Sequence, residues 1–191
     1  DNIISEYSYT KSTSGLSWNY DDDWYEESPT PDAQNNENPL TKEYSEIIIN
    51  ELLPNPSGDE SADEFIELYN PNDFSVELKN WILRDASKTG KYIFTTQKIL
   101  PTSYLTIYRS DFGFALNNSG DETVSLIAPN TQIKSTISYA GAAEGLSYNR
   151  DIPNWYWAVP TPDNQNTENP LTKKYPIIYL NEILPNPAGN E

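Results

Sequence analysis

The 191-residue chain contains no histidine, no cysteine and no methionine. Without histidine there is no imidazole base near neutral pH to activate a serine nucleophile. Without cysteine or histidine, the usual zinc, haem and iron-sulfur ligand sets cannot be assembled. Positive charge is scarce too: 12 basic against 29 acidic side chains leave a formal net charge of −17. Such a polyanion has few Lys and Arg with which to displace counterions from phosphate, which argues against nucleic acid as a partner. Long hydrophobic runs are missing. Runs such as Ile47-Ile48-Ile49 fall far short of the roughly 20 residues that cross a bilayer, so no membrane span is expected in this segment. Asp1 is followed by neither a basic n-region nor an apolar h-region, so any secretion signal or anchor is expected outside it. Absent cysteine fits either a reducing compartment or a secreted protein held by packing alone. The acidic, Asn-, Thr- and Tyr-rich composition tilts the expectation toward an extracellular or cell-surface location.

What the chain does have is aromatic rings. Only 36% of residues are hydrophobic, but 14 Tyr and 5 Trp are among them, so a core is attainable if the aromatics build it. It also has an internal repeat. PTPDAQNNENPLTKEY begins at Pro29 and PTPDNQNTENPLTKKY at Pro160, an offset of 131 residues. Without gaps, residues 28–60 and 159–191 share 22 identities in 33 positions. Upstream, GLSWN from Gly15 matches GLSYN from Gly145 at an offset of 130, and Trp24 matches Trp155 at 131.

This periodicity divides the chain into the C-terminal part of a preceding repeat (1–37), a linker (38–45), one whole unit (46–168), a second linker (169–176) and the first strand of a following repeat (177–191). Taken alone, each end leaves an apolar face and a hydrogen-bonding edge open. The expectation is a window on a longer tandem array; the rival reading is that the ends of neighbouring copies complete one another. The linkers, ENPLTKEY and ENPLTKKY, hold Pro and no Gly, which predicts a semi-rigid joint rather than a free spacer.

Within the whole unit, helical spacing is missing. Short β-branched and aromatic runs separated by Pro, Asn, Gly and Asp clusters predict strands near 46–53, 64–69, 74–84, 91–95, 103–109, 122–128 and 132–140, the rhythm of an all-β sandwich. Phe74, Val76 and Leu78 alternate with Ser75 and Glu77, the mark of a half-buried strand. Clusters such as Pro54-Asn55-Pro56-Ser57-Gly58 and Asn117-Asn118-Ser119-Gly120-Asp121 supply the turns.

The order INELLPNPSGDESADEFIELYNPNDFSVELKNWILRD (Ile49 to Asp85), YIFTTQKILPTSYLTIYRSD, ALNNSGDETVSLI and TISYAG resembles a lamin-tail domain of the bacterial type. The resemblance covers the whole central unit and extends to Trp155 and PTPDNQN. It implies an immunoglobulin-like β-sandwich, often appended in tandem to secreted or cell-surface proteins and generally without catalytic activity. Nuclear-lamin members are linked to DNA and chromatin contacts, a role that the net charge opposes here. The family's closing turn usually carries Gly where this chain has Asp163, so the same turn backbone is not predicted at that position.

Phe65, Ile66, Leu68, Trp81 and Trp155 are the expected core, with the Trp81 N–H available to a backbone carbonyl. Glu67 falls on the opposite strand face from Ile66 and Leu68, so solvent is its default surrounding. A semi-buried bond to backbone N–H groups is the sharper alternative. Trp157, with Tyr156, is the candidate ligand-stacking pair, because flat rings stack on sugar faces. Against that, Trp157 is matched by Glu26 in the preceding copy and so reads as replaceable and exposed. Asp59 to Glu64 or Asp21 to Asp23 could offer oxygen to calcium, but neither has EF-hand spacing and neither persists between copies. No other cofactor is implied. Asn117-Asn118-Ser119 fits a glycan acceptor as well as a plain turn. Together these features predict a non-enzymatic structural module of a surface stalk or filament whose partners are neighbouring copies. The alternative is a module binding carbohydrate or another surface.

Overall fold

A computed structural model describes residues 6–87 and 89–185. The chain begins with a hairpin of β1 (Ser17–Asp21) and β2 (Asp23–Glu27), turned at Asp22 with φ 58°. After the first linker come β3 (Ile48–Leu53), a single helical turn α1 (Glu60–Asp63) and β4 (Phe65–Tyr69). Next are β5 (Val76–Glu77), β6 (Ile82–Arg84), β7 (Lys91–Ile93), β8 (Lys98–Ile99) and β9 (Tyr104–Tyr108). A second turn, α2 (Arg109–Phe112), precedes β10 (Asp121–Ile127) and β11 (Ile133–Ala140). A closing hairpin joins β12 (Ser147–Asp151) to β13 (Asn154–Ala158).

Two sheets face each other as a sandwich: five strands in the order β13-β12-β3-β4-β9 and four in the order β11-β10-β6-β7. This all-β, immunoglobulin-like arrangement is the one that the alternating runs predict, because each strand turns one face inward. Ile66 and Leu68 of β4, Leu83 of β6 and Val124 and Leu126 of β10 meet in one core with Trp81 and Phe94, all fully buried. A bulge between Ile49 and Glu51 inserts Asn50 into β3. The extra residue lets Ile47, Ile49 and Leu52 all reach the core while Glu51 turns to the outer face.

Several expectations are corrected. The single strand over 74–84 is two, because Asn80 adopts φ 66° and breaks the ladder. Phe74 does not share the inward face of Val76 and Leu78 but is half exposed. Helical structure is not wholly missing, since α1 and α2 each form one turn. At Asp163 the backbone takes φ 60°, the left-handed region that Gly favours, as does its repeat counterpart Asp32 at φ 61°. Asp tolerates that region better than most side chains. The Trp81 indole is fully buried, yet its N–H has no partner among the described residues. What it meets instead is the Tyr44 ring, edge-on at 5.7 Å.

Candidate functional site

The outer face of the five-stranded sheet is where charge is buried. Glu51 of β3 and Glu67 of β4 stand opposite each other in the ladder, and both are completely inaccessible. Chain geometry covers them: after β13, residues 159–169 cross this face as a strap. The Thr161 N–H and hydroxyl donate to Glu51 at 2.9 and 3.0 Å, and the Ser147 hydroxyl donates to it from β12. Glu67 accepts from Asn50 Nδ2 at 2.8 Å, from the Thr106 hydroxyl at 3.0 Å and from the Asp163 N–H at 2.5 Å. Burial raises the Glu51 carboxyl and pushes Glu67 up to about 7, against the opposing pull of these hydrogen bonds; the neighbouring carboxylate adds to the rise at Glu67. Solvent, the default expected for Glu67, is thus excluded by the strap, and a backbone N–H does reach the carboxylate. Strand alternation reveals which face a side chain takes but not what lies over it.

A third buried acid, Glu64, accepts from the Leu116 N–H at 2.7 Å and from Arg109 at 3.2 Å. Burial pushes it up to about 7 as well. The bonds tie α2 and the loop before β10 to the start of β4. All three acids have their oxygens filled by donors from the chain itself, so they serve as clamps in this geometry. General acid–base work would need them open to a substrate.

Of the expected core, Phe65, Ile66, Leu68 and Trp81 are buried, while Trp155 is half-buried and stacked on Tyr148 at 5.2 Å. Tyr156 is no surface ring: it is buried, with its hydroxyl donating to the Thr167 carbonyl of the strap. Trp157 is not freely exposed either. It packs on the edge of the core, T-shaped to Tyr139 at 5.8 Å and tilted over Tyr148 at 4.9 Å. The WYW run therefore offers packing rather than an open stacking platform.

The acidic runs are similarly committed. Asp59 caps α1 through the Ser61 N–H at 2.9 Å, Asp63 accepts from the Asp59 N–H at 3.1 Å, and Glu60 lies 3.7 Å from Arg109. Among the described residues no group of three or more acids is gathered for a metal. Asn117 donates from its side chain to the Asp121 carbonyl at 3.2 Å, a turn contact. Among the described residues no helix is long and apolar enough to cross a membrane.

Beyond the strap, the two linkers fold alike. In the first, Asn38 Oδ1 accepts from the Leu40 N–H at 3.0 Å, its carbonyl accepts from Thr41 and Lys42 at 3.2 and 2.9 Å, and Lys42 lies 2.6 Å from Glu37. In the second, Asn169 does the same for Leu171, Thr172 and Lys173 at 3.0, 3.1 and 2.9 Å, and Lys173 lies 3.0 Å from Glu168. The first linker is fastened to the sandwich. The Tyr44 hydroxyl donates to the Pro39 carbonyl at 3.2 Å while its ring meets Trp81, Asn130 Nδ2 donates to the Lys42 carbonyl at 3.0 Å, and Lys79 of the sandwich lies 3.7 Å from Glu27 of the hairpin.

No curated protein matches the chain. The lamin tail domain family matches residues 41–141. That span runs from the first linker through β11 and stops short of β12 and β13, which the structure nonetheless places in the five-stranded sheet. By this match, over more than half its length, the chain belongs to the lamin tail domain family.

Proposed function

We propose that the chain is a non-catalytic structural module of an extracellular or cell-surface protein, in which immunoglobulin-like sandwiches follow one another through short proline-containing joints to form an extended stalk. The observation that carries this reading is the joint. One local sequence builds the same Asn-capped turn twice, and in the first copy Tyr44 fastens that turn to the core. A spacer without mechanical role has no reason to insert an aromatic ring against the buried Trp81. Each unit then needs to contact only its neighbours, so length scales with repeat number, and high negative charge keeps parallel stalks apart and soluble.

Because the chain has no cysteine, spin labels can be placed cleanly at Asp23→Cys and Thr95→Cys, on the hairpin and the sandwich. Electron–electron distance measurement is expected to give one narrow distribution that broadens when Tyr44→Ala is added. A broad distribution in the parent chain overturns the fixed joint. Surface location is tested separately by protease shaving of intact cells, which should release the protein.

A further inference from the structure

In so acidic a chain a basic side chain has many carboxylates within reach. Lys42, Lys79, Lys98, Arg109 and Lys173 each lie 2.6–3.8 Å from a glutamate. Arg84 of β6 and Lys91 of β7 depart from this pattern. Both are exposed, and neither has an acidic partner among the described residues. They stand directly opposite each other in the ladder, and like charges so placed destabilise a sheet. Arg84 has one long contact, from Nη2 to the Ser87 carbonyl at 3.5 Å. Asp85 does not answer the pair: its carboxylate is buried against Gly90 and accepts from the Ser87 N–H at 2.8 Å.

The two cations belong to the outer face of the four-stranded sheet, whose inner face carries Leu83, Val124 and Leu126 into the core. Residues opposite one another in a ladder share a face. The pairs Ile93–Ile82, Ile82–Ile127 and Ile127–Ile133 therefore line up as one apolar row across all four strands, roughly 14 Å long at the usual strand spacing. Ile93 and Ile133, at its ends, are 44 and 60% exposed. The next row is Lys91, Arg84, Ser125 and Thr136, with the two hydroxyls 3.0 Å apart. A cleft of about 250 Å³ is lined by Ile82, Arg84, Gly90, Lys91 and Ile127. On this face the acid of these strands is Asp121, four residues along β10 from Ser125 and so about 13 Å away.

Three features fix the kind of ligand. Paired cations suit a carboxylate, which the Arg guanidinium can hold in a two-pronged fork while Lys adds a point charge. The isoleucine row suits aliphatic surface, and neither row contains an aromatic ring on which a sugar could stack. A net charge of −17 repels dense polyanions at long range, which leaves a ligand with an isolated anionic group. We infer that this face binds a small organic anion, its one carboxylate held between Arg84 and Lys91 and its aliphatic body laid over Ile82 and Ile127. The bound carboxylate neutralises the repulsion across β6 and β7, so the ligand supplies the acid that the chain withholds. The inference goes beyond the stalk reading and does not depend on it, since every residue it uses lies between Ile82 and Thr136, away from both joints and the strap.

The test titrates the full, isotope-labelled chain with hexanoate at fixed pH and ionic strength, following backbone amide shifts by NMR. Acetate, which lacks the aliphatic body, and hexanol, which lacks the charge, are the comparison probes. Hexanoate is expected to give saturable shifts confined to β6, β7 and β10, with acetate and hexanol each binding at least about ten-fold more weakly. The doubly substituted chain Arg84→Gln, Lys91→Gln should likewise lose at least about ten-fold in hexanoate affinity, the scale of one charge-assisted hydrogen bond. Absence of saturable shifts on these strands overturns the inference, as does acetate binding as tightly as hexanoate or a double variant that binds like the parent. Urea melts supply the second measurement: Lys91→Gln alone should leave the midpoint unchanged or raise it, because it relieves a repulsion. A lowered midpoint would give Lys91 a structural partner and overturn its assignment to a ligand.

Discussion

Glu51 and Glu67 are paired across β3 and β4, like charges directly opposed in a sheet ladder and fully covered by the strap. Opposed like charges destabilise a sheet, and burial adds the cost of desolvation. The arrangement persists because three donors reach each carboxylate group, from β12 and the strap to Glu51 and from β3, β9 and the strap to Glu67, so breaking it leaves several polar groups unpaired at once.

This pair makes stability pH-dependent. Glu67 titrates at about 7 in the folded chain against an ordinary 4.5. Between those values the folded state holds a proton that the unfolded state has lost, so this group's contribution to stability is fully present below about 4.5 and is lost as pH rises through 7. Urea melts at pH 5 and pH 8 should show the fall. Glu67→Gln should flatten the part of the slope due to this group, and an unchanged slope would contradict the assignment.

Asn70 is fully buried, and its Nδ2 lies 2.8, 3.1 and 2.9 Å from the carbonyls of Phe74, Ile99 and Leu100. Asn70→Ala should cost about 1–3 kcal/mol by stranding those acceptors. Asn70→Asp should cost more, roughly 3–5 kcal/mol, because it turns a buried charge toward three carbonyl oxygens. Chemical denaturation of the two variants decides the order, and equal losses would refute the repulsion argument.

For the tryptophans, depth sets the scale. Trp81→Ala should destabilise by about 3–5 kcal/mol, the range for emptying a large aromatic site, and should loosen the linker that Tyr44 fastens to it. Trp157→Ala, at the half-buried rim, should cost roughly 1–2 kcal/mol. Glycan-array screening of the Trp157→Ala variant and the parent chain should show no ligand that depends on this ring.

At Asp163 the left-handed backbone and the hydrogen bond to Glu67 coincide. Asp163→Gly should stay within about 1 kcal/mol of the parent, since Gly fits φ 60°. Asp163→Val should lose at least about 1–2 kcal/mol, because a β-branched side chain clashes in that region. Thermal melts will rank the two.

Of the strands from β3 to β11, all but the two-residue β8 (Lys98–Ile99) are legible, because alternation, turn residues and aromatic runs are local properties of the chain. Val76, Leu78, Trp81 and Leu83 fall on the core by that reasoning, and Phe74 escapes it because it lies outside β5, which begins at Val76. β12 and β13 were not legible as strands. Ser147-Tyr148-Asn149-Arg150-Asp151 looks polar, and its burial comes from a strap contributed by residues beyond β13. Glu64 and Glu67 are hidden for a similar reason: the donors that make their burial tolerable lie 17 to 96 residues away in sequence.

From the sequence alone came the absences, the acidic charge, the repeat and the alternating pattern, and so the fold class and the exclusion of histidine- and cysteine-based chemistry. These depend only on residue type and short spacing. Tertiary structure decided which acids lie under the strap, how Tyr44 fastens the joint to Trp81, and that the same β3-like sequence is buried at Leu52 and exposed at Ile183. Burial depends on which neighbours surround a strand, and two nearly identical segments with different neighbours cannot be told apart by their residues.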